Sequence, residues 1–110
     1  MKLTDDNFEK EIVEGKKPAL VMFWGSWCPV CKRMEPMLDE MRDDLEEAGV
    51  KVGTINIDQN PVSAAEYKVA GTPTFYLFDG EGDTIDMAVG AQTKKQLKNL
   101  IKRNAPEDPE

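Results

Sequence analysis

The distribution of apolar and polar residues predicts that strands and helices alternate along the chain. Residues 19–24 form an unbroken apolar run, which is typical of a strand buried on both faces of a sheet. After Cys28, apolar residues recur at helical spacing with charged residues on the opposite face. This pattern predicts a long helix that ends at Gly49. The apolar face of this helix consists of Met34, Met37, Leu38, Met41, Leu45 and Ala48.

A second strand and a short helix follow the long helix. The β-branched residues of 51–57 predict the strand. The helix is predicted to run to about Tyr67, with Asn60 as its N-cap and Pro61 at its first position. A further apolar run at 74–78 predicts the next strand.

The last part of the chain predicts a hairpin and a final helix. Residues 79–82 have the composition of a turn, and residues 84–89 alternate as in an edge strand with one less buried face. One face of that strand is formed by Ile85, Met87 and Val89. A capping box at 93–96 begins the final helix. The buried stripe of this helix is formed by Leu97, Leu100 and Ile101.

The N-terminal segment also predicts a helix. Thr4 is the expected N-cap, and Leu3 and Phe8 are spaced as a hydrophobic staple. The helix is expected to run to about Glu14, where Gly15 ends it. Any strand before this helix is limited to the first three residues.

Length and element order together predict one α/β domain. The 110 residues suffice for one core but not for two, so we assign a single domain to residues 1–104. Strand–helix–strand units give parallel neighbours, and the hairpin within 75–89 adds an antiparallel pair. Residues 105–110 are acidic and rich in proline, and we expect a disordered tail there.

The only two cysteines, Cys28 and Cys31, lie where the buried strand gives way to the long helix. A thiol at a helix start lies near unpaired N–H groups and the positive end of the dipole, which favour the reactive thiolate. We therefore interpret the pair as a redox centre. Two alternatives stay open. One is a structural disulfide, although so small a ring constrains little of the unfolded chain. The other is part of a metal site, although there is no histidine and no further cysteine.

The motif around these cysteines resembles the thioredoxin family. Trp-Cys-x-x-Cys-Lys at 27–32 follows a buried strand, and Gly-Thr-Pro-Thr at 71–74 comes about forty residues later. Residues 56–61 and 89–90 match as well, so the resemblance covers roughly residues 3–102. It implies the thioredoxin fold, an α/β architecture with a central mixed sheet of four or five strands and helices on both faces.

The resemblance also implies a protein thiol–disulfide oxidoreductase that reduces, or in reverse oxidises, protein disulfides. Cys28 would attack a substrate disulfide, and Cys31 would then resolve the mixed disulfide. Lys32 adds positive charge one turn later, and Trp24 supports the pair, although burial in the core explains Trp24 equally well. The implied Thr72–Pro73 bond is cis and leaves the Thr72 backbone free to pair with substrate. The expected substrate-binding residues are Trp27, Pro29, Val30, Thr72, Pro73, Val89, Gly90 and Ala91.

Composition and charge narrow the set of partners. The net charge of −7 argues against nucleic acid and anionic membranes. The absence of histidine excludes Cys–His nucleophilic catalysis. The N-terminal residues do not form an apolar signal segment, so we expect a cytoplasmic protein. The resemblance implies a monomer with no cofactor beyond the cysteine pair and no metal. It also implies protein substrates with disulfides and an electron donor of the thioredoxin-reductase type.

Three positions depart from the usual family pattern. Pro29-Val30 separates the cysteines where thioredoxins usually have Gly-Pro. Met22 and Thr54 stand where the family usually buries an aspartate and its partner lysine. Losing both members together leaves no unpaired buried charge. We expect the attack by Cys31 to be slow near neutral pH as a result, and we expect the pair to be more oxidising than an ordinary thioredoxin.

Two other functions remain open at this point. One is a glutaredoxin-like donor recycled by glutathione, although Asp79-Gly80-Glu81-Gly82 does not match the Gly-Gly pair usual in that family. The other is a thioredoxin-fold adaptor that binds a partner without catalysis, although the intact cysteine pair and Trp27 argue against it.

Overall fold

A computed structural model describes residues 1–104, and the predicted tail at 105–110 lies outside them. In this described part of the chain, five strands form one sheet in the order β1-β3-β2-β4-β5. The strands are β1 (Lys2–Leu3), β2 (Ala19–Trp24), β3 (Lys51–Asn56), β4 (Thr74–Phe78) and β5 (Thr84–Val89). β1, β3 and β2 are parallel, whereas β4 and β5 are antiparallel to their neighbours, which confirms the predicted mixed sheet.

Within residues 1–104, three α-helices connect or follow the strands. They are α1 (Pro29–Glu47), α2 (Pro61–Glu66) and α3 (Lys94–Arg103). The capping box of α3 is present as predicted, with the Thr93 hydroxyl accepting from the Gln96 N–H and the Gln96 side chain accepting in return. The N-terminal segment 9–13 is helical as well, but of a different type.

The core has two layers because β2 lies at the centre of the sheet. Leu20 and Met22 of β2 pack on the side of α1 and α3 with Leu38 and Leu97. The alternating residues Ala19, Val21 and Phe23 pack on the other side. That second layer also contains Leu3, Phe8, Ile12, Ile55 and Phe78. β2 is therefore buried on both faces, as its apolar run predicts. The cysteines follow the end of this rigid strand.

The predicted N-terminal helix is present over a shorter range. Residues 5–7 form a turn, and Glu9–Val13 is a π-helix in which the Glu14 N–H donates to the Glu9 carbonyl at 2.9 Å. The Glu11 carbonyl is bonded instead by the Lys51 ammonium of β3, at 2.9 Å. This bond joins residues forty positions apart, so no local pattern indicates it.

The predicted alternation in β5 is also wrong at one residue. Leu77 pairs with Asp86 and Phe78 pairs with Thr84, so Ile85 is an extra residue in β5, as in a β-bulge. Ile85 consequently lines an apolar cavity with Leu77 and leaves the face of Met87 and Val89.

The N-cap chemistry of α2 differs from the prediction too. Asn60 occupies the N-cap position, but its side chain makes no capping bond. The Asp5 carboxylate accepts from the N–H groups of Val62 and Ser63, at 3.3 and 2.8 Å. The cap therefore comes from the N-terminal turn, and Asn60 instead accepts from the Asp5 N–H.

Lys68→Gly is expected to stabilise the protein. Lys68 has a φ of 53°, and the bonds from Val69 N–H to Ala64 and from Lys68 N–H to Ala65 form a Schellman motif that favours glycine there. We expect a gain of about 0.5–1 kcal/mol in the free energy of unfolding and a rise of several degrees in Tm, measured by thermal denaturation. Lys98→Gly, inside α3, is the control and should cost about 1 kcal/mol.

Candidate functional site

The cysteine pair lies at the start of α1. Cys28 and Cys31 form a disulfide with their Cα atoms 5.3 Å apart. Cys28 is the N-cap residue, and its Sγ accepts a hydrogen bond from the Cys31 N–H at 3.2 Å. Cys28 is 4% exposed and Cys31 is 1% exposed, so both residues are buried in the disulfide form. The first sulfur thus lies where helix N–H groups favour negative charge.

A tight turn after β2 places Cys28 at the helix start. The Cys28 N–H donates to the Gly25 carbonyl at 3.1 Å, which reverses the chain directly after Trp24. A Cβ atom at Gly25 would lie 2.8 Å from the ring of Trp27. A side chain at position 25 would therefore require the Trp27 ring to shift.

Asp58 holds Trp27 in place from the loop after β3. The Trp27 indole N–H and the Ser26 N–H donate to the two Asp58 carboxylate oxygens, at 3.1 and 2.9 Å. Asn56 supports this arrangement by donating to the Ser26 hydroxyl at 3.0 Å. The bond from the Ser26 N–H, followed by that from Trp27, lowers the pKa of Asp58. Sequence reasoning did not single out Asp58, although it belongs to the matching stretch 56–61.

Asp58→Ala is expected to free the Trp27 ring, which is 65% exposed and has few other restraints. In a Trp24→Phe background, the fluorescence anisotropy of Trp27 should fall clearly. Asp58→Asn keeps one acceptor oxygen, so its anisotropy should lie between that of Asp58→Ala and that of the protein with Asp58. The pKa of Asp58 is below its ordinary 3.8, so acid should release Trp27 only below about pH 4. Equal anisotropy in all three proteins would show that Asp58 does not restrain the ring.

The residues just before β4 and at the end of β5 form the side of the site opposite Trp27. Phe23 pairs with Thr74 in the last pair of the β2–β4 register, so residues 72–73 directly precede the strand that lies beside β2. The Thr72–Pro73 peptide bond is cis, and the Pro73 carbonyl accepts from the Gly90 N–H at 2.8 Å. These bonds bring the segments 72–73 and 89–90 to the sheet edge from which α1 begins.

Of the other residues predicted for the site, some lie on the surface and one packs against the core. Pro29 is exposed and Val30 is half-buried on the first turn of α1, and Val89 is 58% exposed. Trp24 packs against the core on the α1 side. Lys32 is exposed, one turn after Cys28.

Met22 and Thr54 are direct neighbours in the β2–β3 register. Met22 is 1% exposed, and Thr54 is half-buried beside it. This pair of positions therefore carries no ionisable group beneath the cysteine-bearing helix.

Within residues 1–104 we find neither a metal-binding cluster nor a membrane-spanning helix. Residues 1–104 contain no group of three or more histidine, cysteine, aspartate or glutamate side chains placed to hold a metal ion. Among the helices within that range, none is both long and apolar enough to cross a bilayer.

Comparisons with known proteins match nearly the whole chain. The family model for thioredoxin matches residues 1–103. The thioredoxin of Buchnera aphidicola subsp. Schizaphis graminum is 41% identical over 104 residues, which covers 94% of both chains. The thioredoxin of Rickettsia typhi is 39% identical over 102 residues, covering 93% of this chain and 95% of that protein. The thioredoxin of Pyropia yezoensis is 36% identical over 101 residues, covering 92% of each.

Proposed function

The chain belongs to the thioredoxin family and is a thiol–disulfide oxidoreductase, and we propose that Cys28 is its nucleophile and Cys31 its resolving thiol. The Cys28 thiolate attacks one sulfur of a substrate disulfide, forms a mixed disulfide and releases the other sulfur as a thiolate. The Cys31 thiolate then attacks Cys28 Sγ and expels the second substrate sulfur. Two electrons pass to the substrate, and the Cys28–Cys31 disulfide remains.

One observation carries this assignment of roles. The Sγ of Cys28 accepts the Cys31 N–H at the N-terminus of the 19-residue helix α1, and this bond strengthens when the sulfur is anionic. Cys31 lies one turn inside the helix and is almost fully buried. Cys28 lies at the helix N-cap, so we propose that substrate meets Cys28 first and that Cys31 closes the ring.

We propose that substrate binds in an extended conformation between Trp27 and the segments 72–73 and 89–90. The exposed apolar side chains of Trp27 and Val89 lie at the same sheet edge, which is typical of a docking surface. Gly90 has a φ of 90° and no side chain, so a partner backbone can approach it closely. The proposed contact residues are Trp27, Pro29, Val30, Thr72, Pro73, Val89 and Gly90.

The proposed partners are proteins with disulfides and a reductase protein that returns electrons to the Cys28–Cys31 disulfide. The net charge of −7 supports protein partners over nucleic acid or anionic membranes. We further propose that the protein acts as a cytoplasmic monomer without a cofactor.

Reduction of insulin disulfides tests this function. With dithiothreitol as electron source, the protein should accelerate insulin precipitation, whereas a non-catalytic adaptor would leave the background rate unchanged. Replacing dithiothreitol by a thioredoxin reductase should sustain turnover, and replacing it by glutathione should not. Turnover with glutathione alone would support the glutaredoxin-like alternative instead.

A further inference from the structure

The last carbonyl of β5 points to the outer side of the sheet, at the end from which α1 begins. Within residues 1–104, β5 pairs only with β4, so its other side carries no further strand. The Gly90 N–H donates to the Pro73 carbonyl at 2.8 Å and therefore points towards β4. Because the C=O and the N–H of a trans peptide point in opposite directions, the Val89 carbonyl points away from β4. Such a carbonyl can accept a hydrogen bond from an added extended chain.

Gln92 covers this carbonyl with its own side chain. The Gln92 amide nitrogen donates to the Val89 and Gly90 carbonyls, at 3.4 Å each. Both distances are longer than the usual range of about 2.7–3.2 Å for N–H···O bonds, so the two bonds are weak. Gln92 is half-buried, whereas its neighbours Ala91 and Thr93 are exposed. The side chain thus folds back onto the segment that we propose to contact substrate.

A second side chain caps the same side of β5, but it is held much more firmly. Backbone groups two residues apart in a strand point to the same side, and the Asp86 carboxylate accepts from the Met87 N–H at 2.8 Å. The other Asp86 oxygen accepts from Arg103 Nε and from the Asn104 amide, at 2.7 Å each. The bond from Arg103, followed by that from Asn104, lowers the pKa of Asp86 to about 2. The Gln92 amide has no comparable anchors in the part of the chain that the structure describes.

We propose that Gln92 is a displaceable cap, and that a backbone N–H of an extended substrate segment replaces its amide on the Val89 carbonyl. A substrate N–H at normal distance makes a stronger bond than the Gln92 amide does, so the exchange favours bound substrate. Between encounters Gln92 keeps the carbonyl paired. Gln92 is therefore a positioning residue that favours disulfides in extended chains over small disulfides. This inference rests on the proposed role of residues 89–90 in substrate binding.

Gln92→Ala removes the cap and should strengthen the binding of peptide substrates. The measurement is a single-turnover reaction of the reduced protein with excess peptide containing one disulfide, followed by tryptophan fluorescence. The peptide concentration at half-maximal rate should fall about threefold, with the maximal rate unchanged. Gln92→Glu keeps the length of the side chain but does not donate, so it should show the same fall. Gln59→Ala removes an exposed glutamine from the loop after β3 and should change neither value.

Methylated peptides test whether a substrate N–H takes the place of Gln92. Peptides with one N-methylated peptide bond each, at successive positions, should include one for which Gln92→Ala binds no better than wild type. A gain that persists in every methylated peptide overturns the inference. A similar gain in rate with 2-hydroxyethyl disulfide, which has no peptide backbone, overturns it as well.

The remaining outcomes separate this inference from the proposed function. An unchanged or raised half-saturating peptide concentration in Gln92→Ala, with a wild type that reduces peptide and insulin, overturns the inference alone. A wild type that reduces neither peptide nor insulin overturns the proposed function itself.

Discussion

Cys28→Ser is expected to lower the rate of insulin reduction by about a thousandfold or more, to the background of dithiothreitol alone. A serine hydroxyl is not ionised near neutral pH and does not form a disulfide, so the first step of the cycle is lost. The substitution removes one sulfur at the helix N-cap, where serine is itself a good capping residue. Circular dichroism should therefore show an intact fold.

Cys31→Ser is the matched variant and should fail at a different step. Cys28 can still attack, so the variant should form a stable 1:1 mixed disulfide with substrate, visible by mass spectrometry under non-reducing conditions. The Cys28→Ser variant should form none. Adducts on Cys31 in Cys28→Ser, together with none in Cys31→Ser, would reverse the assigned roles. The stable adduct also isolates physiological substrates from a lysate.

Local patterns predicted the elements that their own residues determine. The apolar run at 19–24 predicted β2 with the limits that the structure has. A strand buried on both faces is apolar whichever elements pack on it, so its own sequence is sufficient to identify it. The β4 limits at 74–78 and the capping box at Thr93 are right for the same reason. Each rests on residues within a few positions of one another.

The details that the sequence did not predict depend on contacts between distant segments. Lys51 bonds the Glu11 carbonyl, and Asp5 caps α2 from 57 and 58 residues away. Ile85 is displaced by a bulge that only the β4 register reveals. In the site, the Cys28–Cys31 spacing predicted the disulfide. The hydrogen bond between Trp27 and Asp58 was not predicted. It depends on the position of the loop after β3, and the spacing of residues along the sequence does not indicate that position.

We expect the Met22–Thr54 pair, which has no ionisable group, to make the second step slow at neutral pH. Cys31 must lose its proton before it attacks Cys28, and the Met22–Thr54 pair provides no base beneath α1. We expect water or the leaving thiolate to accept the proton instead. In single-turnover measurements the rate of mixed-disulfide resolution should therefore rise with pH. A rate that does not change between pH 6 and 9 would contradict this.

Met22→Asp is expected to speed that step and to cost stability. A buried carboxylate with no partner destabilises by about 3–5 kcal/mol, and desolvation raises its pKa towards the range of an effective general base. Its folded pKa then exceeds its unfolded pKa, so the variant should lose stability, relative to wild type, as pH rises from about 4 towards the raised value. Resolution at pH 7 should accelerate about tenfold or more. Met22→Leu, similar in volume, should change neither quantity much.

Adding Thr54→Lys to Met22→Asp should recover part of the lost stability, because the two positions are register neighbours and the ammonium can pair with the carboxylate. Thr54 lines a cavity of about 590 Å³, which gives the lysine side chain room. A double-mutant cycle in urea measures the coupling, expected at about 1–3 kcal/mol. If the two substitutions change the free energy of unfolding in a strictly additive way, the lysine ammonium does not contact the carboxylate at position 22. A favourable coupling would explain why Met22 and Thr54 occur together, since either charge alone would be left buried and unpaired.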